Sequence, residues 1–147
     1  MRADPGDEPP FTSSWFVMDE GRINAFAHVT EDHQPIHLDD AAGRAAGFGG
    51  SIACGFLTLS MLSAMGVDAM AAASHATHIN YGFDRVRFLA PVPKGARVRG
   101  HFCLAAQEWQ SSAICHRHYD VRVEVEGEAR PALVARWIIR SVLRQPS

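Results

Sequence analysis

The segment from Ile52 to Val67 constrains the fold more than any other part of the chain, because it is apolar on nearly every side. Read as a helix over about Ser51 to Met65, it carries Ile52, Phe56 and Leu59 on one side and Leu57, Met61 and Ala64 on another. Such a helix is stable when other elements wrap it rather than when it lies on a surface. Ser60 and Ser63 interrupt the segment and Asp68 ends it, short of the roughly 18 uncharged residues of a membrane span. It therefore predicts a core helix, with residues 47–50 as a flexible break ahead of it and Ser51 as its cap.

Material to wrap that helix follows it. Val98, Phe102 and Leu104 alternate with Arg97, Arg99 and His101, and Tyr119, Val121, Val123 and Val125 alternate with Arg122 and Glu124, the period of half-buried strands. Turns fall at Pro93-Lys94-Gly95 and Glu126-Gly127. A strand from His78 to Leu89 changes phase, since Ile79, Tyr81 and Phe83 share one parity and Val86 and Phe88 the other. A bulge near Gly82 to Asp84 accounts for the change. Before the helix, Trp15 to Met18 reads as a short strand, Asp19 or Glu20 caps a helix running to about Thr30, and Asp39 to Ala46 suits a short helix. One buried helix and a strongly curved antiparallel sheet make an α+β layout in which the sheet curls around the helix.

With 147 residues, 47% of them apolar, the chain has material for one core. Residues 14–147 are expected to form a single domain and residues 1–13, rich in proline and acids, a loose tail without the pattern of a secretory signal. A net charge of −2 gives no basic face for a nucleic acid. The three cysteines form no C-x-x-C pair and leave an odd thiol, which suits a reducing, cytoplasmic setting.

The chemistry concentrates in Asp32-His33-Gln34-Pro35-Ile36-His37. Proline fixes its own φ and biases Gln34 toward an extended conformation, so the chain leaves the first helix before Asp32 and turns back at His37. A carboxylate and an imidazole then face one cleft and share one water, the requirement of general acid/base catalysis. Each also has an ordinary reading, Asp32 as a turn residue bonding its own backbone and His37 as a half-buried histidine donating to a carbonyl.

Around these residues the chain resembles the MaoC-like (R)-specific enoyl-CoA hydratases, in the branch similar to nodulation protein N. The resemblance is carried by Phe26-Ala-His-Val-Thr-Glu-Asp-His-Gln-Pro-Ile-His-Leu-Asp, Gly49-Gly-Ser-Ile-Ala-Cys-Gly-Phe-Leu-Thr-Leu-Ser and Asn80-Tyr-Gly-Phe-Asp-Arg-Val-Arg-Phe-Leu-Ala-Pro-Val-Pro. It covers most of residues 15–100; beyond that only the alternating pattern agrees. It implies a hotdog fold, usually as a homodimer joined sheet edge to sheet edge. It also implies catalysis by Asp32 and His37, and reversible hydration of a trans-2-enoyl-CoA to an (R)-3-hydroxyacyl-CoA without metal or redox cofactor, coenzyme A being part of the substrate.

Four further residues enter the site on this reading. Gly55 offers an amide in the first turn of the core helix to the oxyanion of the thioester, or else merely permits tight packing. Ser63, two turns on, resembles a serine that related hydratases place beside their carboxylate; Ser60 competes with it, and either could bond back to a helix carbonyl. Gln34 stands where many members have asparagine and is expected to tie the turn together. Cys54 departs from the histidine usual before this glycine. It reads as a substrate-side packing residue, or as a thiol of lowered pKa at a helix start. His116 and His118 share a strand face with no third ligand evident, so a solvated face is the better reading than a metal. Arg85, Arg87, Lys94 and Arg97 are available to coenzyme A phosphates without being required there. Two other functions fit the same residues: a hotdog thioesterase, with the carboxylate directing water at the thioester carbonyl, and a non-catalytic acyl-CoA-binding module, for which Cys54 is the best argument.

Overall fold

The computed structural model describes residues 8–69 and 76–143. Two short strands come first, β1 (Phe11–Thr12) and β2 (Phe16–Val17), then helix α1 (Glu20–Thr30), capped by the Asp19 side chain accepting from the Arg22 amide. Short helices α2 (Pro35–Leu38), α3 (Asp40–Ala45) and α4 (Gly55–Ser60) lead into α5 (Leu62–Ala69), and four long strands close the chain: β3 (Ala76–Phe88), β4 (Arg97–Trp109), β5 (Ile114–Val125) and β6 (Leu133–Leu143). They form one antiparallel sheet in the order β1-β4-β5-β6-β3, with β2 also on β4. The expected bulge is present as register shifts between Asn80 and Gly82 and between Phe83 and Arg85.

The core lies between the concave side of the sheet and the helices. Leu57, Leu62 and Met65 pack with Met18 and Ile23 against Val98, Phe102, Tyr119, Val123 and Leu133. Complete burial of side chains such as Phe102, Leu62 and Met65 contributes roughly 1.5–3 kcal/mol each. The alternation read from the sequence is what places them: in β4, Val98, Gly100, Phe102 and Leu104 are buried while Arg97 and Cys103 are exposed.

Several expectations are corrected. The stretch assigned to a loose tail joins the sheet from Phe11 onward: Phe11 pairs with Phe102 and stacks on its ring at 5.5 Å, Ser13 donates its amide to the Gly100 carbonyl, and Glu8 pairs with Arg117. Residues 1–7 of that tail lie outside the described residues. The core helix begins at Gly55, not Ser51, because residues 51–54 are used as an extended strut. Ile52 donates to the Ile36 carbonyl, Ala53 to Val92, and the Ser51 carbonyl accepts from Lys94. Ser51 caps nothing; its hydroxyl donates to Asp40. The helix is also divided at Met61 into α4 and α5. Nor is it wrapped on every side within one chain, since Phe56 and Val67 are 68% and 73% exposed. Finally, the His116 face is not solvated: His116 is buried and lies 4.2 Å from the Tyr81 ring.

Candidate active site

Three local features aim the Asp32–His37 pair. Helix α1 ends on Glu31 in the left-handed conformation, φ 59°, an uncommon and strained state for a residue with a Cβ that turns the chain abruptly. Gln34 then adopts φ −59° and ψ 131° ahead of Pro35, which starts α2, as the residue before a proline should. His37 is the third residue of α2, buried, with Nδ1 2.8 Å from the Ile52 carbonyl. A carbonyl only accepts, so Nδ1 carries the proton and Nε2 is left facing Asp32, 3.9 Å from Oδ2. The strut at 51–54 is thus what orients the imidazole.

The strut is held close by Gly43, where a Cβ would fall 2.0 Å from the Gly50 carbonyl oxygen; α3 can approach only with glycine there. Its other end delivers Cys54, whose thiol lies within 4.8 Å of both the Asp32 carboxylate and the His37 ring. Burial pushes the Cys54 thiol up, and the charge of Asp32 and a hydrogen bond to it push further in the same direction. The lowered thiol pKa considered from the sequence is therefore reversed: Cys54 precedes the helix as its N-cap, and the nearest charge is negative.

His37, Gly55 and Thr58 line one apolar cleft of about 280 Å³ with Phe48, Phe88 and Ala132. The Gly55 amide stands at the first position of α4, ahead of any intrahelical acceptor. A side chain here would meet the Phe88 ring at 3.3 Å, so the glycine serves packing as well as access. Thr58 was not singled out in the sequence. Its hydroxyl is buried in the wall of the cleft with no hydrogen-bond partner among the described residues. Its spacing three residues after Gly55 on one helix was the available signal. A larger groove, about 600 Å³ along β4, β5 and β6, contains Arg85, Arg122 and Arg136 but none of the acid/base residues. Chemistry rather than size selects the smaller cleft.

The remaining expected residues fall outside the cluster. The Gln34 side chain is exposed and caps nothing; only its backbone carbonyl holds the turn, accepting from the His37 amide. The Ser63 hydroxyl accepts from Asn80 on β3 at 3.1 Å, and Ser60 bonds back to the Phe56 carbonyl. Lys94 pairs with Asp40 and Glu20, and Arg97 with Glu126. Helices long and apolar enough to cross a membrane are absent from the described residues.

Residues 3–127 match the family model described as MaoC like domain. The chain belongs to that family. The match extends past residue 100, further than the motifs alone carried the resemblance. This MaoC-like domain is 48% identical over 129 residues to nodulation protein N of Rhizobium meliloti (strain 1021), an alignment covering 86% of this chain and 80% of that one. It is 40% identical over 130 residues to a 3-hydroxyacyl-thioester dehydratase Z of Mycobacterium tuberculosis (strain ATCC 25618 / H37Rv), covering 88% and 86%. Its structure superposes on an (R)-hydratase from A. caviae with a TM-score of 0.72 at 20% identity, covering 95% of this chain and 96% of that one. The MaoC-like domain thus has the hotdog fold, here as an unclosed sheet curved around α4 and α5.

Proposed function

We propose that this MaoC-like domain hydrates trans-2-enoyl-CoA reversibly to (R)-3-hydroxyacyl-CoA. The observation that carries the proposal is the approach of the Asp32 carboxylate to within 3.9 Å of the His37 Nε2, His37 itself standing in the wall of the cleft that the Gly55 backbone also lines. A water held between the two gives up a proton to the pair as its oxygen bonds to C3. The C2=C3 electrons move toward the thioester carbonyl, the Gly55 amide stabilises the resulting enolate oxygen, and the pair returns the proton to C2. Atoms and charge balance with water as the only co-reactant. The R outcome is supported by the resemblance and by the name of the A. caviae (R)-hydratase, a thioester substrate by the name of the M. tuberculosis dehydratase, and coenzyme A as carrier by the resemblance alone.

Incubation with crotonyl-CoA tests this reading. Loss of enoyl absorbance without free thiol, with product oxidised by an (R)-specific 3-hydroxyacyl dehydrogenase, is expected. Release of thiol would replace hydration with thioester hydrolysis, and binding without turnover would leave an acyl-CoA-binding module.

The functional unit we infer is a homodimer. Strand β3 is the terminal strand of the sheet and exposes Ile79, Tyr81 and Phe83, with Phe56 and Val67 exposed on α4 and α5. An unpaired edge carrying apolar side chains invites another strand. Light scattering on a sizing column should give twice the 16.1 kDa chain mass.

A further inference from the structure

We propose that Asp32, His37 and Cys54 form a three-donor binding site for a thiophilic divalent cation of the zinc type. A carboxylate oxygen and an imidazole nitrogen from the 32–37 turn and a sulfur from the strut at 51–54 all lie within 4.8 Å of one another. Zinc bonded to N and O at about 2.0–2.1 Å and to S at about 2.3 Å holds tetrahedral donors about 3.3–3.6 Å apart. Closing the cluster on a cation therefore takes side-chain movements of about one ångström, within rotamer adjustment.

Other features point the same way. His37 donates Nδ1–H to the Ile52 carbonyl, the outer contact that fixes the tautomer of metal-binding histidines and leaves Nε2 as the ligand. Mixed S, N and O donors suit zinc, whereas magnesium and calcium select oxygen alone. Two anionic ligands and one neutral ligand neutralise a dication, which a largely buried site requires. The thiol proton leaves to solvent as the cation enters, so the positive charge missing around Cys54 is supplied by the metal. Asp32, whose side chain is 32% exposed, provides the path in. Three protein ligands leave a fourth position free.

Occupancy would take both groups that hold water in the hydration reaction, so the cation acts as a reversible inhibitor. That consequence rests on the proposed hydratase reading; the binding does not.

The test uses the full chain, freed of metal by chelation and titrated first with Co²⁺ and then with Zn²⁺. One Co²⁺ per chain with a near-ultraviolet thiolate-to-cobalt charge-transfer band, displaced by Zn²⁺, is expected. Cys54→Ala should abolish the band, His37→Gln should weaken binding by at least about 10–100-fold, and Cys103→Ala should change neither. Melting curves of each variant establish that it is folded. Absence of the band in the wild type, or its survival in folded Cys54→Ala, overturns the site. Crotonyl-CoA hydration with chelator and with added zinc forms the second arm. Cobalt binding at Cys54 without any hydration keeps the site and removes the hydratase reading, whereas hydration indifferent to zinc, with no band, keeps the reaction and removes the site.

Discussion

Asp32 and Asp40 are carboxylates eight positions apart on either side of α2, and the structure uses them in opposite ways. Asp40 accepts from the Ser51 amide at 2.9 Å, the Ser51 hydroxyl at 2.7 Å and the Lys94 ammonium at 3.0 Å. Those bonds hold its carboxyl well below the usual carboxylate range. Asp32 faces an imidazole at 3.9 Å and a buried thiol. A carboxylate whose lone pairs are spent inside the fold is a strut; one whose neighbours leave room for a water is available for chemistry. Both lie beside the same strut at residues 51–54, Asp40 fixing one end at Ser51 and Asp32 meeting the other at Cys54.

Exchanging each carboxylate for its amide probes this contrast most strongly. Asp32→Asn should lower kcat for crotonyl-CoA by about 10²–10⁴-fold while leaving the melting temperature unchanged. Asp40→Asn should do the reverse, lowering the melting temperature with little change in turnover per folded molecule. Equal effects of the two substitutions on rate would erase the distinction.

Ser51→Ala removes one of the Asp40 bonds from a buried position. It should cost about 1 kcal/mol, a fall of roughly 2–4 °C in Tm for a chain of this size, measured by circular dichroism. A smaller dependence appears with pH. The Ser51 amide and hydroxyl, and then Lys94, depress Asp40 from its ordinary 3.8, so the native state binds fewer protons there than the unfolded chain. The stabilisation is complete above pH 3.8 and is lost as pH falls below it, reduced by solvent screening of an open carboxylate. Acid unfolding of the wild type should therefore steepen below that pH relative to Asp40→Asn.

Much of this was legible in the sequence, because local chemistry dictates it. Pro35 and the helix end before Asp32 bring the acid and base together, two-residue alternation orients β4 and β5, and a parity change reveals the bulge in β3. What was not legible depends on distant partners. Strand β1 is two residues long and has no periodicity of its own; it exists because Phe11 finds Phe102 and Tyr119. Ser51 looked like a helix cap, but Asp40 claims its hydroxyl, and Val92 and Lys94 claim the backbone around it. Helix propensity over 51–54 loses to those long-range bonds. The nearness of Cys54 to Asp32, 22 positions away, had no spacing signature at all.

That nearness leaves a trace in reactivity, the smallest of the expected effects. Only the thiolate attacks an alkylating agent, so a thiol held protonated by burial and by Asp32 reacts slowly. Among the three cysteines, the exposed Cys103 should be carboxamidomethylated first, with buried Cys54 and Cys115 lagging. Asp32→Asn removes the negative charge while leaving burial in place, so Cys54 should react severalfold faster at mildly alkaline pH, with Cys115 as an internal reference in the same digest. Asp40→Asn should leave the ratio of Cys54 to Cys115 unchanged, because its carboxylate is turned to Ser51 and Lys94. A Cys54 rate indifferent to Asp32 would mean that carboxylate and thiol do not share a hole, and both the acid/base cluster and the cation site would lose their common wall.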